Sequence, residues 1–246
     1  MRIGIDARFY GTLGKGLGRY TEKLIEHLEV VDQENEYIIF LRRENFSEYI
    51  PKSPRFKKVV AQYAWYGIAE QTAFVILLYR NKLDLVHFPH FNVPLLYCKK
   101  FVVTIHDLIL VHYPTIRNTT RFSFFYWCKF FVYRIVIALA IRRAEHIITV
   151  SSFTKSDIIS QYPGSREKIS VTYEAADTYC QFLLPLEEEQ LFLRLGLSRS
   201  ETLGLGASYR DIIQSYFLYV GNAYPHKNLS ILFALARAFP DVQLVL

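Results

Sequence analysis

The sequence predicts a doubly wound parallel α/β domain followed by the first strand-helix-strand of a second. Three observations predict it. Short β-branched apolar runs alternate with helical patterns, glycine-rich and polar signals fall just after those runs, and apolar residues make up 51% of the 246 against 21% charged. Such a chain can bury a sizeable core and is not of the disordered class.

In chain order, the runs RIGIDA, YIIFLR, KKVVA, LVHF, FVVTIHD, HIITVS and ISVTYE read as strands. Helical patterns separate several of them, from about Gly18 to Leu28, from about Trp65 to Arg80, over 122–141, and from Ser152 to about Gln161. This assigns residues 1–177 to the first domain. The pattern weakens over 178–215, where an acidic patch (187–189) and Gly196, Gly204 and Gly206 read as a linker with a partial helix. From Tyr216 a strand, a glycine-containing loop, a helix from about Asn228 to Phe239 and a further strand follow. A lone β-α-β cannot cover its own sheet, so residues 216–246 are expected to be the start of an incomplete domain.

The net charge of +6 favours anionic partners: phosphorylated ligands, acidic lipid surfaces or nucleic acid. Nucleic acid drops out, because there is no basic run interleaved with aromatics and no helix-turn-helix, zinc-finger or RNP pattern. Cys98, Cys128 and Cys180 form no C-x-x-C pair and read as reduced thiols of a cytoplasmic protein. The N-terminus enters a strand at once, without the basic and apolar regions of a secretory signal.

Residues 122–141, FSFFYWCKFFVYRIVIALAI, approach the ~20 residues that span a bilayer. Lys129 and Arg134 interrupt the run, and each costs roughly 2.5–3.5 kcal/mol near a membrane centre. Two readings remain: a helix packed on the sheet, or one with an exposed aromatic face and basic flanks (Arg121, Lys129, Arg142, Arg143) resting on an anionic membrane surface.

Ligands of doubly wound sheets sit at the carboxyl ends of the strands, and the informative residues fall there. GTLGKGLGRY (11–20) follows the first strand. A Walker loop fails because Gly16 follows Lys15, and Gly14, Gly16 and Gly18 give G-x-G-x-G rather than the dinucleotide G-x-G-x-x-G. What survives is backbone that a ligand can approach beside a helix N-terminus. His87 and His90 in HFPHFNVP invite a metal reading, but no third ligand follows in register. In VSSFTKSDI, helix capping accounts for Ser151 or Ser152.

Taken together and in order, GKGLGRY, TIHDL, VSSFTKSDI, VTYEAAD and YVGNAYPHKNL resemble the retaining glycosyltransferases of family 4. The resemblance covers the whole chain but only the first part of that family's second domain. It implies the GT-B architecture of two Rossmann-like domains, the first on the acceptor side and the second binding the donor. It implies transfer of a sugar from a nucleotide-diphosphate donor to a glycan, lipid-linked or small-molecule acceptor, without metal or other cofactor, in cell-envelope glycan or polysaccharide synthesis. Gly16, Gly18 and Arg19 match the family's glycine loop, and His106 the histidine that faces the donor sugar. Lys227 matches the donor-diphosphate lysine. Asn222, Glu174 and Ser151 complete the implied substrate-binding set. Asp107 is expected to orient its loop. Asn222 and His226 stand where relatives commonly carry Arg, and Ala175 where they carry Gly. The family's paired glutamates would lie beyond Leu246, so residues 1–246 alone are expected to be inactive.

Two other readings remain open: a non-catalytic Rossmann-like module for a phosphorylated ligand or membrane surface, and a nicotinamide-dependent oxidoreductase. The missing fingerprint, and the missing acidic residue after the second strand, argue against the latter.

Overall fold

The computed structural model describes residues 1–113, 123–175, 190, 194, 216–221, 224, 227–240 and 242–245, with 123–126, 128 and 129 described in backbone only. The proposed linker apart from residues 190 and 194, together with Asn222, His226 and Cys180, lies outside the described residues. The chain divides into two compact units, Met1–Ala175 and Ala176–Leu246.

In the first unit the strands are β1 (Arg2–Asp6), β2 (Glu36–Leu41), β3 (Phe56–Val60), β4 (Leu85–Phe88), β5 (Phe101–Ile105), β6 (His146–Thr149) and β7 (Ile169–Val171). They form one parallel sheet in the order β3-β2-β1-β4-β5-β6-β7. Helices α1 (Lys15–Val31), α2 (Val75–Arg80), α3 (Ile109–His112), α4 (Ser123–Arg143) and α5 (Ser152–Gln161) lie between them in sequence. Strand β2 shows that both faces are covered. Ile38 and Phe40 enter the core cluster holding Leu78 of α2, Ile141 of α4 and Ile158 of α5, whereas Ile39 and Leu41 join the cluster of Ile25 from α1. Side chains alternate across a strand, so α1 packs on one face and α2, α4 and α5 on the other. Burying Ile25 completely contributes about 1.5–3 kcal/mol.

Helix α1 buries Gly18, Thr21, Ile25 and Glu29, one stripe at helical spacing. It begins at Lys15, three residues before the sequence-based start. Glycine is a poor helix former, but an N-terminal turn tolerates it because its N–H groups lack intrahelical partners.

The helix read from about Trp65 enters later. A π-helical turn, Glu70–Phe74, leads into α2, and Trp65 instead stacks on Phe9 with ring centroids 4.3 Å apart. The apolar periodicity that includes Trp65 reflects this ring contact, not a helical face.

In the second unit, β8 (Tyr216–Leu218) pairs in parallel with β9 (Gln243–Val245), with α6 (Ser230–Ala238) between them.

Candidate functional site

The sheet order reverses between β1 and β4, and the loops after these strands, together with that after β5, frame a strand-end crevice. The β1 loop sets its shape. Gly11 has φ +70°, and a Cβ on Gly14 would stand 2.1 Å from the Phe9 carbonyl oxygen. A Cβ on Gly18 would stand 2.1 Å from the Gly11 carbonyl oxygen. These two glycines let α1 close against its own loop. Gly16 differs, for a Cβ there would meet nothing within 4 Å. Of the glycines in the G-x-G-x-G run, Gly16 alone therefore faces open space. Arg19 lines a recess of about 280 Å³ with Tyr10, Gly11, Thr12, Lys15, Glu22 and Glu48, and its guanidinium pairs with Glu22 at 3.0 Å.

Beneath this loop lies a buried charge cluster. Arg8 is fully buried and donates to Asp6 through Nε and Nη2, both at 2.7 Å, and to Glu70 at 2.6 Å. Glu70 accepts further bonds from Asn92 Nδ2 at 2.8 Å and the Tyr66 backbone N–H at 2.8 Å. Burial works against the Arg8 charge, but Asp6 and Glu70 outweigh it and hold its pKa above the ordinary value. The cluster ties the β1 loop to the π turn and to the loop after β4. The sequence offers one signal for it, two opposite charges two residues apart closing a strand; nothing local marks Glu70 or Asn92 as partners.

His106 ends β5. Its Nε2 lies 3.1 Å from the Pro89 carbonyl oxygen and its Nδ1 3.4 Å from Glu174 Oε1. Tyr20 of α1 meets the ring edge-to-face, with centroids 4.8 Å apart at 88°. Asp107 accepts the backbone N–H of Ile109 at 2.9 Å and so orients the start of α3. Ser151 caps α5 by accepting the Thr154 N–H at 3.1 Å, and Thr154 Oγ1 donates to the His106 carbonyl at 2.9 Å. The structure therefore brings His106 and Glu174 together, with Ser151 supporting them at one remove.

His87 and His90 go separate ways. His87 is buried with Nε2 2.8 Å from Thr104 Oγ1, and burial, then His106, pushes its pKa down to about 4. His90 packs against Phe91 and Phe9. In the second unit, Lys227 is exposed in a short turn where its N–H donates to the Tyr224 carbonyl at 2.9 Å.

Sheet order and strand-end residues define a doubly wound α/β binding domain with a histidine-carboxylate pair in its crevice. Residues 14–179 match the profile described as Glycosyltransferase Family 4, and the chain belongs to that family. The O-antigen chain mannosyltransferase RfbU of Salmonella typhimurium is 27% identical over 178 residues, 72% of this chain and 38% of that protein. The chain thus spans under two fifths of the length of this curated relative. Among solved structures, the wall teichoic acid polymerase TagF, variant H548A, aligns with a TM-score of 0.47 and 13% identity over 99% of this chain and 55% of its own.

Proposed function

We propose that this chain supplies the acceptor-side domain, and the start of the donor-binding domain, of a glycosyltransferase. The enzyme moves a sugar from a nucleotide-diphosphate donor to a glycan or lipid-linked acceptor of the cell envelope, with retained anomeric configuration. The observation that carries this reading is the His106–Glu174 pair at the end of β5, within the segment that matches the family. In the reaction an acceptor hydroxyl oxygen bonds to the anomeric carbon and the bond from that carbon to the diphosphate oxygen breaks. The hydroxyl proton leaves with the diphosphate. Such a step depends on positioning and on stabilising leaving-group charge. In this reading His106 and Glu174 serve the sugar hydroxyls, Gly16 and Arg19 the approach, and Lys227 and Asn222 are assigned to the diphosphate by their place in the family's motif. The nucleotide sugar is a co-substrate and no other cofactor is required.

The test is sugar transfer over a panel of nucleotide-diphosphate donors, starting with mannose donors because the relative is named a mannosyltransferase. The product of the full reading frame is expected to turn over and residues 1–246 alone are not. No transfer from any donor by the full product overturns the proposal.

We also propose a membrane-surface partner on the cytoplasmic side; the exposed residues of α4 support the surface contact. Ile137, Ala140 and Ile141 are buried in the core, while Trp127, Phe131, Val132 and Ile135 remain exposed beside the cationic Arg134. Among the described residues, no helix is long and apolar enough to cross a membrane. A helix apolar on both sides but covered on one suits an interfacial position.

A further inference from the structure

We infer that Tyr20 is a positioning residue for His106, held from behind by Thr104 and His87, so that α1 and the end of β5 present one fixed nitrogen to the substrate. The inference rests on the proposed role of His106 as the group that contacts the sugar.

The argument starts at the imidazole. A carbonyl oxygen only accepts, so the 3.1 Å contact with Pro89 places the proton on Nε2. Nδ1 lies 3.4 Å from Glu174 Oε1, and a carboxylate also only accepts, so that contact holds the ring only when Nδ1 carries a proton as well. The choice of nitrogen holds only while the ring keeps its orientation, and rotation of a histidine about its last side-chain bond is soft. Three groups restrain it: Pro89 at Nε2, Glu174 at Nδ1, and the Tyr20 ring at 4.8 Å. Glu174 is exposed and gives a weak restraint. Tyr20 is partly buried and anchored, its hydroxyl 3.2 Å from Thr104 Oγ1.

Thr104 of β5 is fully buried and stands two residues before His106, and Tyr20 meets both side chains. Its hydroxyl also meets His87 Nε2 at 2.8 Å. Burial keeps His87 neutral above about pH 4 and raises the pKa of the Tyr20 hydroxyl, so Tyr20, Thr104 and His87 form an uncharged hydrogen-bonded column. A neutral column imposes position without adding charge at the reacting centre. It also links two parts of the crevice, because Tyr20 lies two residues beyond Gly18, which seats α1 on the β1 loop.

The test uses ¹⁵N-histidine spectra of the full chain, with the backbone amide spectrum as the control for folding. His106 is expected to show a proton on Nε2, held to the Pro89 carbonyl. Tyr20→Leu should weaken and shift the Nε2–H signal as the ring leaves the Pro89 carbonyl, Tyr20→Phe and Thr104→Val should do so partially, and Thr104→Ser should restore the parent spectrum. Where Tyr20→Leu fails to fold, the Thr104 pair decides. Unchanged His106 signals in Tyr20→Leu or, failing that, in Thr104→Val overturn the inference. In the active full-length product, Tyr20→Leu should lower kcat about 10- to 100-fold with KM little altered, and add nothing in a His106→Ala background. The spectra need no turnover, so their failure removes the positioning role and leaves the transferase reading standing; absence of turnover does the reverse.

Discussion

Arg8 Nη2 lies 2.6 Å from Glu70 Oε1, and both side chains are shut off from solvent. The pair joins the end of the first strand to a turn 62 residues along the chain. Removing one partner leaves the other charged in a site without water, which costs more than the pair contributes.

Arg8→Met and Glu70→Leu are each expected to destabilise the first unit by about 3–5 kcal/mol, the usual cost of orphaning a buried charge. Denaturant titration of either variant measures this. A loss under 1 kcal/mol would show that the cluster relaxes or admits water.

Acid should weaken the fold through His87. Its folded pKa of about 4 lies below the ordinary 6.5, so below pH 6.5 the unfolded chain binds a proton that the folded chain refuses. The stability present above pH 6.5 is therefore lost as pH falls from 6.5 to about 4, by roughly 3 kcal/mol. His90 adds in the same direction. Melting curves of the parent and of His87→Asn across this range compare the two, and the variant should show the shallower pH dependence.

The glycines separate by consequence. Gly14→Ala and Gly18→Ala should destabilise, because each added methyl would meet a backbone carbonyl oxygen at 2.1 Å. Gly16→Ala should leave stability unchanged or raise it slightly, since alanine is the better helix former and its Cβ meets nothing. Gly16→Val should leave melting little changed and lower substrate affinity in the active enzyme. Equal melting temperatures for all three alanine variants would contradict this division.

In the full-length product, Lys227→Ala should lower turnover about 10²-fold, the scale of losing one preorganised charge-stabilising group. His106→Ala should also lower it. Donor and acceptor titrations then separate kcat from KM. Retention of full activity by both variants would remove these residues from the chemistry.

Vesicle binding checks the exposed face of α4. Anionic vesicles should retain the chain more strongly than neutral ones, and salt should weaken binding as the screening length falls below about 8 Å. Phe131→Ser with Ile135→Ser should abolish the difference. Equal partitioning to both vesicle types would count against membrane contact.

The parallel sheet was legible because buried strands read as short β-branched runs, and the places of His106 and Glu174 after β5 and β7 because the same runs mark where those strands end. The Ser151 cap was legible from its place before a helical pattern. The Arg8 cluster was not, since its members stand 62 and 22 residues apart and only the folded chain makes them neighbours. The clustered glycines misled in part: Gly14 and Gly18 answer to backbone crowding, a property of the path of the loop rather than of its composition.

The π turn at Glu70–Phe74 amounts to one residue more than a regular α-helix would hold. Helical phase advances by about 100° for each residue, so that extra residue decides which way Glu70 points relative to α2. Deleting Ala73 would repair the helix and yet turn the carboxylate out of step with Leu78, away from the Arg8 guanidinium. The irregular turn thus sets Glu70 and Phe74 against the Arg8 guanidinium while Phe74 and Leu78 stay in one core cluster, so the buried acid and the apolar core are served by the same short stretch of chain.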